Sequence, residues 1–152
     1  MGQNVLKHPC KYFALEKARK VALRFPKKLV IGADTIVLCN GKILGKPKDE
    51  KESFNMLTML SGKTHKVITA VSLQCKDNSI NKTFHEKTKV TLNDLSDNYI
   101  SHYISTYKPF DKAGSYGIQD WFAVCVKKID GCFYNVMGLP LSRLWEEINK
   151  LR

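Results

Sequence analysis

Apolar side chains recur along the chain in two rhythms, one typical of helices and one of strands, so the sequence predicts a protein that contains both. An almost uninterrupted apolar run, rich in β-branched residues, covers residues 29–38. Such a run is typical of a strand that is buried on both faces of a sheet. The dipeptide Asn40-Gly41 follows this run and is a strong signal for a tight hairpin. We therefore expect residues 42–44 to return beside the first strand.

Four segments show apolar residues at helical spacing. The first covers residues 11–24 and ends before Pro26. The second begins at Asp49, which Glu52 follows in a capping-box pattern, and the third begins at Ser96. A last helix opens at residues 138–140. The recurring positions of the four segments are Phe13, Lys17, Ala18, Val21 and Ala22; Phe54, Met56, Leu57 and Leu60; Tyr99, Ile100, Tyr103 and Ile104; and Leu141, Leu144, Trp145, Ile148 and Leu151.

The remaining periodic segments predict strands. Residues 66–74 and 81–92 are joined by a polar turn, and the second of these segments alternates between apolar and polar positions. Residues 121–129 and 132–136 flank Asp130-Gly131 and predict a second hairpin. Together the elements predict the α/β class: a single layered domain over residues 1–152, with a mixed, twisted sheet flanked by helices.

Composition narrows the class of protein. The net charge is +11, but the lysines are spread over every segment, which is typical of a solvated surface. A basic nucleic-acid-binding module remains the rival interpretation, although we do not expect a nucleic acid partner. No apolar run is long enough to span a membrane. The five cysteines are scattered and odd in number, which indicates reduced thiols and a cytoplasmic location.

A carboxylate inside the first apolar run needs an explanation. Asp34 follows Gly32 in this run, and a carboxylate in an apolar strand is costly unless it is paired, hydrogen-bonded or bound to a metal. One interpretation is a strand-end aspartate that closes a turn. The other is a chemical site, because the predicted hairpin brings Lys46 near the level of Asp34. A carboxylate and an ammonium group placed in this way suit a polyanion with its metal ion.

A second polar region follows the third helix. Asp111 and Lys112 precede Gly114 and Gly117. The glycines allow the backbone to turn tightly and to come close to a ligand. The alternative interpretation is a glycine-rich loop that holds an internal Asp–Lys ion pair.

Five blocks, taken in order, resemble the Maf family of nucleoside triphosphate pyrophosphatases, which is related to the inosine triphosphatase-like fold. The resemblance covers residues from about Ala14 to Leu151. The blocks are Gly32-Ala33-Asp34-Thr35; Gly45-Lys46-Pro47; residues 60–65, Leu-Ser-Gly-Lys-Thr-His; residues 111–119, Asp-Lys-Ala-Gly-Ser-Tyr-Gly-Ile-Gln; and residues 135–140, Asn-Val-Met-Gly-Leu-Pro.

The resemblance implies an activity and a set of roles. Family members hydrolyse a nucleoside triphosphate to the monophosphate and pyrophosphate, with a divalent metal cation such as Mg²⁺ or Mn²⁺, and they suggest a homodimer. Asp34 would be the catalytic proton acceptor and a metal ligand. The residues implied to bind substrate are Lys17 and Lys46 at the phosphates, Asp111 and Lys112 in the active site, and Thr35 and Gln119 at the base. The last two resemble the branch that prefers dTTP and UTP.

The chain departs from the family pattern at its beginning. Family members open with a strand and a Ser-x-Ser-Pro-Arg-Arg-like loop that grips the triphosphate, and nothing similar precedes Lys17. We therefore expect a domain that is truncated at its N-terminus relative to the family, and weak or absent turnover. The alternative function is a Maf-like protein that binds a nucleotide or a partner with little or no hydrolysis.

Overall fold

The computed structural model describes residues 9–151, which form a layered α/β fold. The helices are α1 (Pro9–Arg24), α2 (Glu50–Leu60), α3 (Asp97–Tyr107), α4 (Phe133–Met137) and α5 (Leu141–Asn149). The strands are β1 (Val30–Cys39), β2 (Lys42–Leu44), β3 (Thr64–Cys75), β4 (Ile80–Leu92) and β5 (Val126–Asp130). Short 3₁₀ helices cover Ala113–Ser115 and Trp121–Cys125.

The strands form one sheet in the order β2-β1-β3-β4-β5, and each neighbouring pair is antiparallel. The predicted α/β class, with helices flanking one sheet, and the β1–β2 hairpin are confirmed, but the sheet is antiparallel throughout and not mixed. Strand β2 pairs only with Val37, Leu38 and Cys39, so residues 30–36 form no backbone pairs with the described chain on their outer edge. The prediction that this strand is buried on both faces was wrong, because Ile31 beside the open edge is 45% exposed.

Helix α1 covers one face of the sheet through small side chains. A Cβ atom at Gly32 would lie 2.6 Å from the carbonyl oxygen of Ala14, so the helix and the strand are in close backbone contact. The buried residues of α1 are Cys10, Ala14, Ala18 and Ala22. Phe13 and Val21, which the periodicity placed in the recurring set, are largely exposed. Because α1 lies so close to β1, only small side chains fit between them, and the larger side chains of the helix are exposed.

The main core lies on the opposite face, beneath α2 and α3. It includes Val37, Val67 and Val90 from three neighbouring strands, together with Leu57 and Tyr103 from the helices. Both predicted helix caps are confirmed. The side chain of Asp49 accepts a hydrogen bond from the Glu52 amide at 2.8 Å, and the side chain of Ser96 accepts one from the Tyr99 amide at 3.2 Å.

The predicted hairpin over residues 121–136 was wrong. Residues 121–125 form a 3₁₀ helix, because the Asp120 side chain accepts a hydrogen bond from the Phe122 amide at 2.9 Å and caps its first turn. Strand β5 then pairs with β4 instead of with the following segment. Residues 133–137 form α4, which is fixed to the sheet by Asn135: its Nδ2 donates to the Val67 carbonyl oxygen at 3.2 Å.

Helix α5 buries a charge where its periodicity predicted apolar residues alone. Trp145 is 59% exposed, whereas Glu147 is 2% exposed. Arg143 and Lys150 donate to Glu147 Oε1 at 2.9 and 3.0 Å, and Lys82 of β4 pairs with Oε2. These hydrogen bonds, from Lys82 first, lower the pKa of Glu147 to about 2. Three cations thus stabilise a carboxylate that no apolar environment would hold alone.

Two predictions concern the environment of the protein. All five cysteines are free, which agrees with the predicted reduced thiols. Over residues 9–151, no helix combines the length and the apolar character that crossing a membrane would require.

Candidate active site

A cavity of about 850 Å³ opens at the outer edge of β1, along the part of the strand that β2 does not cover. It is bounded by α1, by the segment after β2, by residues 111–119 and by the end of α4. Every residue that the sequence analysis placed in the site lines this one cavity: Lys17, Asp34, Thr35, Lys46, Asp111, Lys112 and Gln119. Residues up to 102 positions apart in the chain are thereby brought together (119 minus 17).

The cavity reaches both faces of the sheet because it passes around the edge of β1. Asp34 is opposite Ala70 and lies on the face covered by α1, whereas Thr35 is opposite Thr69 and lies on the other face. Successive side chains of a strand point to opposite faces. A ligand that contacts both residues must therefore straddle the strand edge.

Asp34 forms an ion pair across the α1 face of the cavity. Lys17 Nζ donates to Asp34 Oδ1 at 2.6 Å and to the Ala33 carbonyl oxygen at 3.3 Å. The structure thus places Lys17 beside Asp34. Lys46 lines the same cavity as Asp34, but the ion pairs of the described residues join Asp34 to Lys17 and do not include Lys46.

Asp111 and Lys112 form the internal ion pair that the sequence allowed, and they also line the cavity. Lys112 Nζ lies 3.1 Å from Asp111 Oδ1 and 3.3 Å from Oδ2. The hydrogen bond from Lys112, with a smaller contribution from the charge of Lys46, lowers the pKa of Asp111. The two interpretations of this segment are therefore compatible.

The wall formed by residues 111–119 is held by four successive residues that bond to four different segments. The Gly114 amide donates to the Gly45 carbonyl oxygen at 3.1 Å, and the Ser115 hydroxyl contacts that of Ser53 on α2. The other two bonds join the Tyr116 hydroxyl to His65 Nε2 at 2.6 Å and the Gly117 amide to the Tyr103 hydroxyl at 3.0 Å. The wall is consequently a fixed part of the core.

His65 is a buried, hydrogen-bonded residue at the entry to β3. It lies within β3, is buried against Tyr116, and its Nδ1 has no hydrogen-bond partner in the described structure. Burial lowers the pKa of His65 to about 4, so the ring is neutral at neutral pH. No signal in the sequence distinguishes this packing role from that of a ligand.

The sequence analysis also missed Thr69 and Asn135. Thr69 Oγ1 lies 2.9 Å from Thr35 Oγ1 and donates to the Asn135 carbonyl oxygen at 2.9 Å. Both residues are fully buried behind the cavity. Asn135 lies in one of the five sequence blocks, but its contact with residue 69 depends on the tertiary fold.

The family of the chain follows from comparison with known proteins. A family model described as "Maf-like protein" matches residues 3–151. The chain belongs to the Maf family. This confirms the resemblance that the five sequence blocks indicated.

Several Maf relatives are about half identical to the chain. A dTTP/UTP pyrophosphatase of Syntrophomonas wolfei is 50% identical over 132 residues, which cover 87% of this chain and 70% of the relative. The enzyme of the same name from Bacillus pumilus is 51% identical, with 87% and 69% covered. That from Thermosipho melanesiensis is 52% identical, with 87% and 71% covered.

The donor set of this Maf site fits a hard divalent cation. Asp34 and Asp111 supply carboxylates to the cavity. Within the described part of the chain, no group of three or more His, Cys, Asp or Glu residues could hold a metal. Mg²⁺ commonly uses one or two protein carboxylates and takes its other ligands from water and substrate phosphates. The residues present therefore suit an ion that is held jointly with a nucleotide.

Proposed function

We propose that this Maf protein is a nucleoside triphosphate pyrophosphatase that hydrolyses nucleotides of the dTTP and UTP type to the monophosphate and pyrophosphate. The observation that carries the proposal is that two carboxylates, three lysines and two polar side chains line one cavity. The names of the relatives support the same activity and the same bases.

Asp34 is proposed as the catalytic proton acceptor. In the reaction, water forms a bond to phosphorus at the anhydride between the α- and β-phosphates, that anhydride bond breaks, and pyrophosphate leaves. The proton of the attacking water passes to a base, and we assign this role to Asp34, which lines the cavity and pairs with Lys17 at 2.6 Å. Lys17 holds the carboxylate in a fixed direction at the cavity wall.

The phosphates require positive charge, which the cavity provides. Lys17 and Lys46 are proposed to neutralise phosphate oxygens, and Asp111 and Lys112 to complete the substrate site on the other side. A bound Mg²⁺ or Mn²⁺ would be held by Asp34 and would spread the charge of the phosphates. Phosphoryl transfer depends mainly on positioning and charge stabilisation, so these groups match what the reaction needs.

The base is proposed to contact Thr35 and Gln119. Both line the cavity, and Thr35 lies on the face of β1 opposite Asp34. This separation suits a nucleotide whose reacting phosphate is near Asp34 and whose base passes around the strand edge. We also propose that residues 1–152 form one domain, that the protein is cytoplasmic and can form a homodimer, and that nucleic acid is not its partner.

The test is pyrophosphate release by the purified chain with Mg²⁺ or Mn²⁺. The panel contains dTTP, UTP, dCTP, CTP, dATP, ATP, dGTP and GTP, and the Asp34→Asn variant serves as the control for contaminating hydrolases. We expect dTTP and UTP to be the preferred substrates. Calorimetric binding without turnover would favour the nucleotide-binding alternative. Retention of DNA or RNA that weakens steeply with salt, without nucleotide turnover, would favour the nucleic-acid module.

A further inference from the structure

A chain of hydrogen bonds connects Thr35, at the cavity, to the backbone of α4. Thr35 Oγ1 lies 2.9 Å from Thr69 Oγ1, and Thr69 Oγ1 lies 2.9 Å from the Asn135 carbonyl oxygen. Thr35 is partly buried and lines the cavity, whereas Thr69 is fully buried. The chain thus runs from the proposed base site into the core.

The positions of the protons in this chain follow from the chemistry of its last member. A carbonyl oxygen can only accept, so the single hydroxyl proton of Thr69 must be donated to Asn135. Thr69 then has only lone pairs to offer to Thr35. The hydroxyl proton of Thr35 must therefore be donated to Thr69, which fixes the direction of the 2.9 Å contact between them.

The surrounding bonds keep Asn135 in place. Its Nδ2 donates to the Val67 carbonyl oxygen at 3.2 Å and to Thr88 Oγ1 at 3.0 Å. Its backbone carbonyl also accepts from the Gly138 amide at 3.0 Å. Because Asn135 is fully buried, loss of these bonds would leave polar groups unpaired in the core. The acceptor at the end of the chain is consequently permanent.

We infer that Thr35 offers the base a hydrogen-bond acceptor and no donor, and that it selects bases whose ring nitrogen N3 carries a proton. Uracil and thymine have N3–H, whereas the N3 of cytosine has a lone pair. The hydroxyl oxygen of Thr35 and the lone pair on cytosine N3 would repel each other, and neither group would have a hydrogen-bond partner. Thr69 and Asn135 are positioning residues in this scheme. The inference rests on the proposed function and identifies the physical basis of its base preference.

The experiment removes the middle hydroxyl without changing the size of the side chain. Thr69→Val leaves the Thr35 proton without its acceptor, so the hydroxyl can turn and donate to N3 of cytosine. We expect the ratio of kcat/KM for dTTP to that for dCTP to fall about tenfold or more, because a hydroxyl that can turn no longer leaves N3 of cytosine unpaired. Thr69→Ser keeps the hydroxyl and should restore the ratio.

A matched control distinguishes positioning from general destabilisation. Thr83 forms a hydroxyl pair with Ser72 at 2.9 Å in the same sheet and does not line the cavity. Thr83→Val should lower the melting temperature through the loss of its own hydroxyl pair and leave the dTTP to dCTP ratio unchanged. A Thr69→Val enzyme with the wild-type ratio would overturn the inference. A fall in the ratio in Thr83→Val that equals the fall in Thr69→Val would do so as well.

A second measurement does not depend on turnover. NMR should detect a slowly exchanging Thr35 hydroxyl proton in the wild-type protein and in Thr69→Ser, and not in Thr69→Val. If the wild-type chain neither binds nor hydrolyses dTTP or UTP, the proposed function fails, and this signal still decides the direction of the hydrogen-bond chain. A Thr35 hydroxyl proton that exchanges with water as fast in the wild type as in Thr69→Val would refute it.

Discussion

Asp34 can be altered with little change to the packing around it. We expect Asp34→Asn to lower kcat about a hundredfold or more, because general acid–base catalysis typically contributes 10² to 10⁴. The Lys17 side chain in the ion pair is 58% exposed, and such pairs contribute at most about 1 kcal/mol, so the melting temperature should change little. Asp77→Asn, which removes a charge from the β3–β4 turn, is the matched control in the kinetic assay. Near-full turnover in Asp34→Asn would remove Asp34 from the catalytic role.

Glu147 should make the stability of the folded protein depend on pH in the acidic range. Its pKa in the folded protein is about 2, below the ordinary value of 4.5, so its contribution is fully present above pH 4.5. That contribution should be lost as pH falls from about 4.5 towards 2. Glu147→Gln should therefore lower the melting temperature most at pH 7, and the difference from the wild type should shrink below pH 4. Thermal unfolding followed by circular dichroism at pH 7, 4 and 2.5 measures this. A difference that is the same at all three values would contradict the assignment.

The cavity wall at residues 111–119 contains a glycine, Gly114, that two separate constraints protect from substitution. Gly114 has φ +71°, and a Cβ atom there would lie 2.9 Å from Val37 Cγ2. Gly41 has a similar φ of +76° with no atom within 4 Å, which makes it a matched control. Gly41→Ala should cost about 1–2 kcal/mol for the left-handed backbone alone. Gly114→Ala should cost more because Val37 must also move.

Two measurements separate the effects at these glycines. The difference in unfolding free energy between Gly114→Ala and Gly41→Ala, from urea titration, reports the packing contribution. Calorimetry with UTP should show weaker binding for Gly114→Ala and wild-type binding for Gly41→Ala, since only the former displaces the cavity wall. Equal stability of the two variants would mean that Val37 moves aside without a loss of folding free energy.

Elements whose signals are local could be predicted from the sequence. Asp49 and Ser96 cap their helices through side chains three residues or fewer from the bonded amides, and Asn40-Gly41 closes its own hairpin. Residues 132–136 were misassigned because a short apolar run suits either a strand or one helical turn. The helical turn is stabilised by Asn135, whose side chain forms hydrogen bonds with β3 and β4, 68 and 47 residues away in the sequence.

In the candidate site, too, some features could be predicted from the sequence and others depend on long-range contacts. Its lining residues were identified through their resemblance to a family, and they remain predictions in their individual roles. The ion pair between Lys17 and Asp34 spans 17 positions of the sequence. The contact between Thr35 and Thr69 spans 34 positions. Such contacts depend on how α1 and β3 pack against β1. Glu147 shows the same limit, because one of its three cations, Lys82, comes from a distant strand.

On the scale of the whole molecule, the open edge of β1 should influence association. Within residues 9–151, the backbone of residues 30–36 has no partner on its outer edge, and Ile31 adds an exposed apolar side chain. Unprotected edges of this kind favour pairing with another strand. We expect the mass measured by light scattering to rise with protein concentration, and Ile31→Lys to reduce that rise. Val124→Lys, at an exposed apolar position in the 3₁₀ helix, is the control. An equal response of both variants would assign association to general hydrophobicity.

The alternation of Asp34 and Thr35 around the edge of β1 also limits how the gene can change. With the roles proposed for these two residues, a substitution at either codon would alter one role and leave the other in place, so base preference could change independently of chemistry. A one-residue insertion or deletion earlier in β1 would instead exchange the two faces and move the carboxylate to the face that Thr35 now occupies. Length variation among descendants of this protein should therefore be confined to the loops, and the ten residues of β1 should vary in identity but not in number.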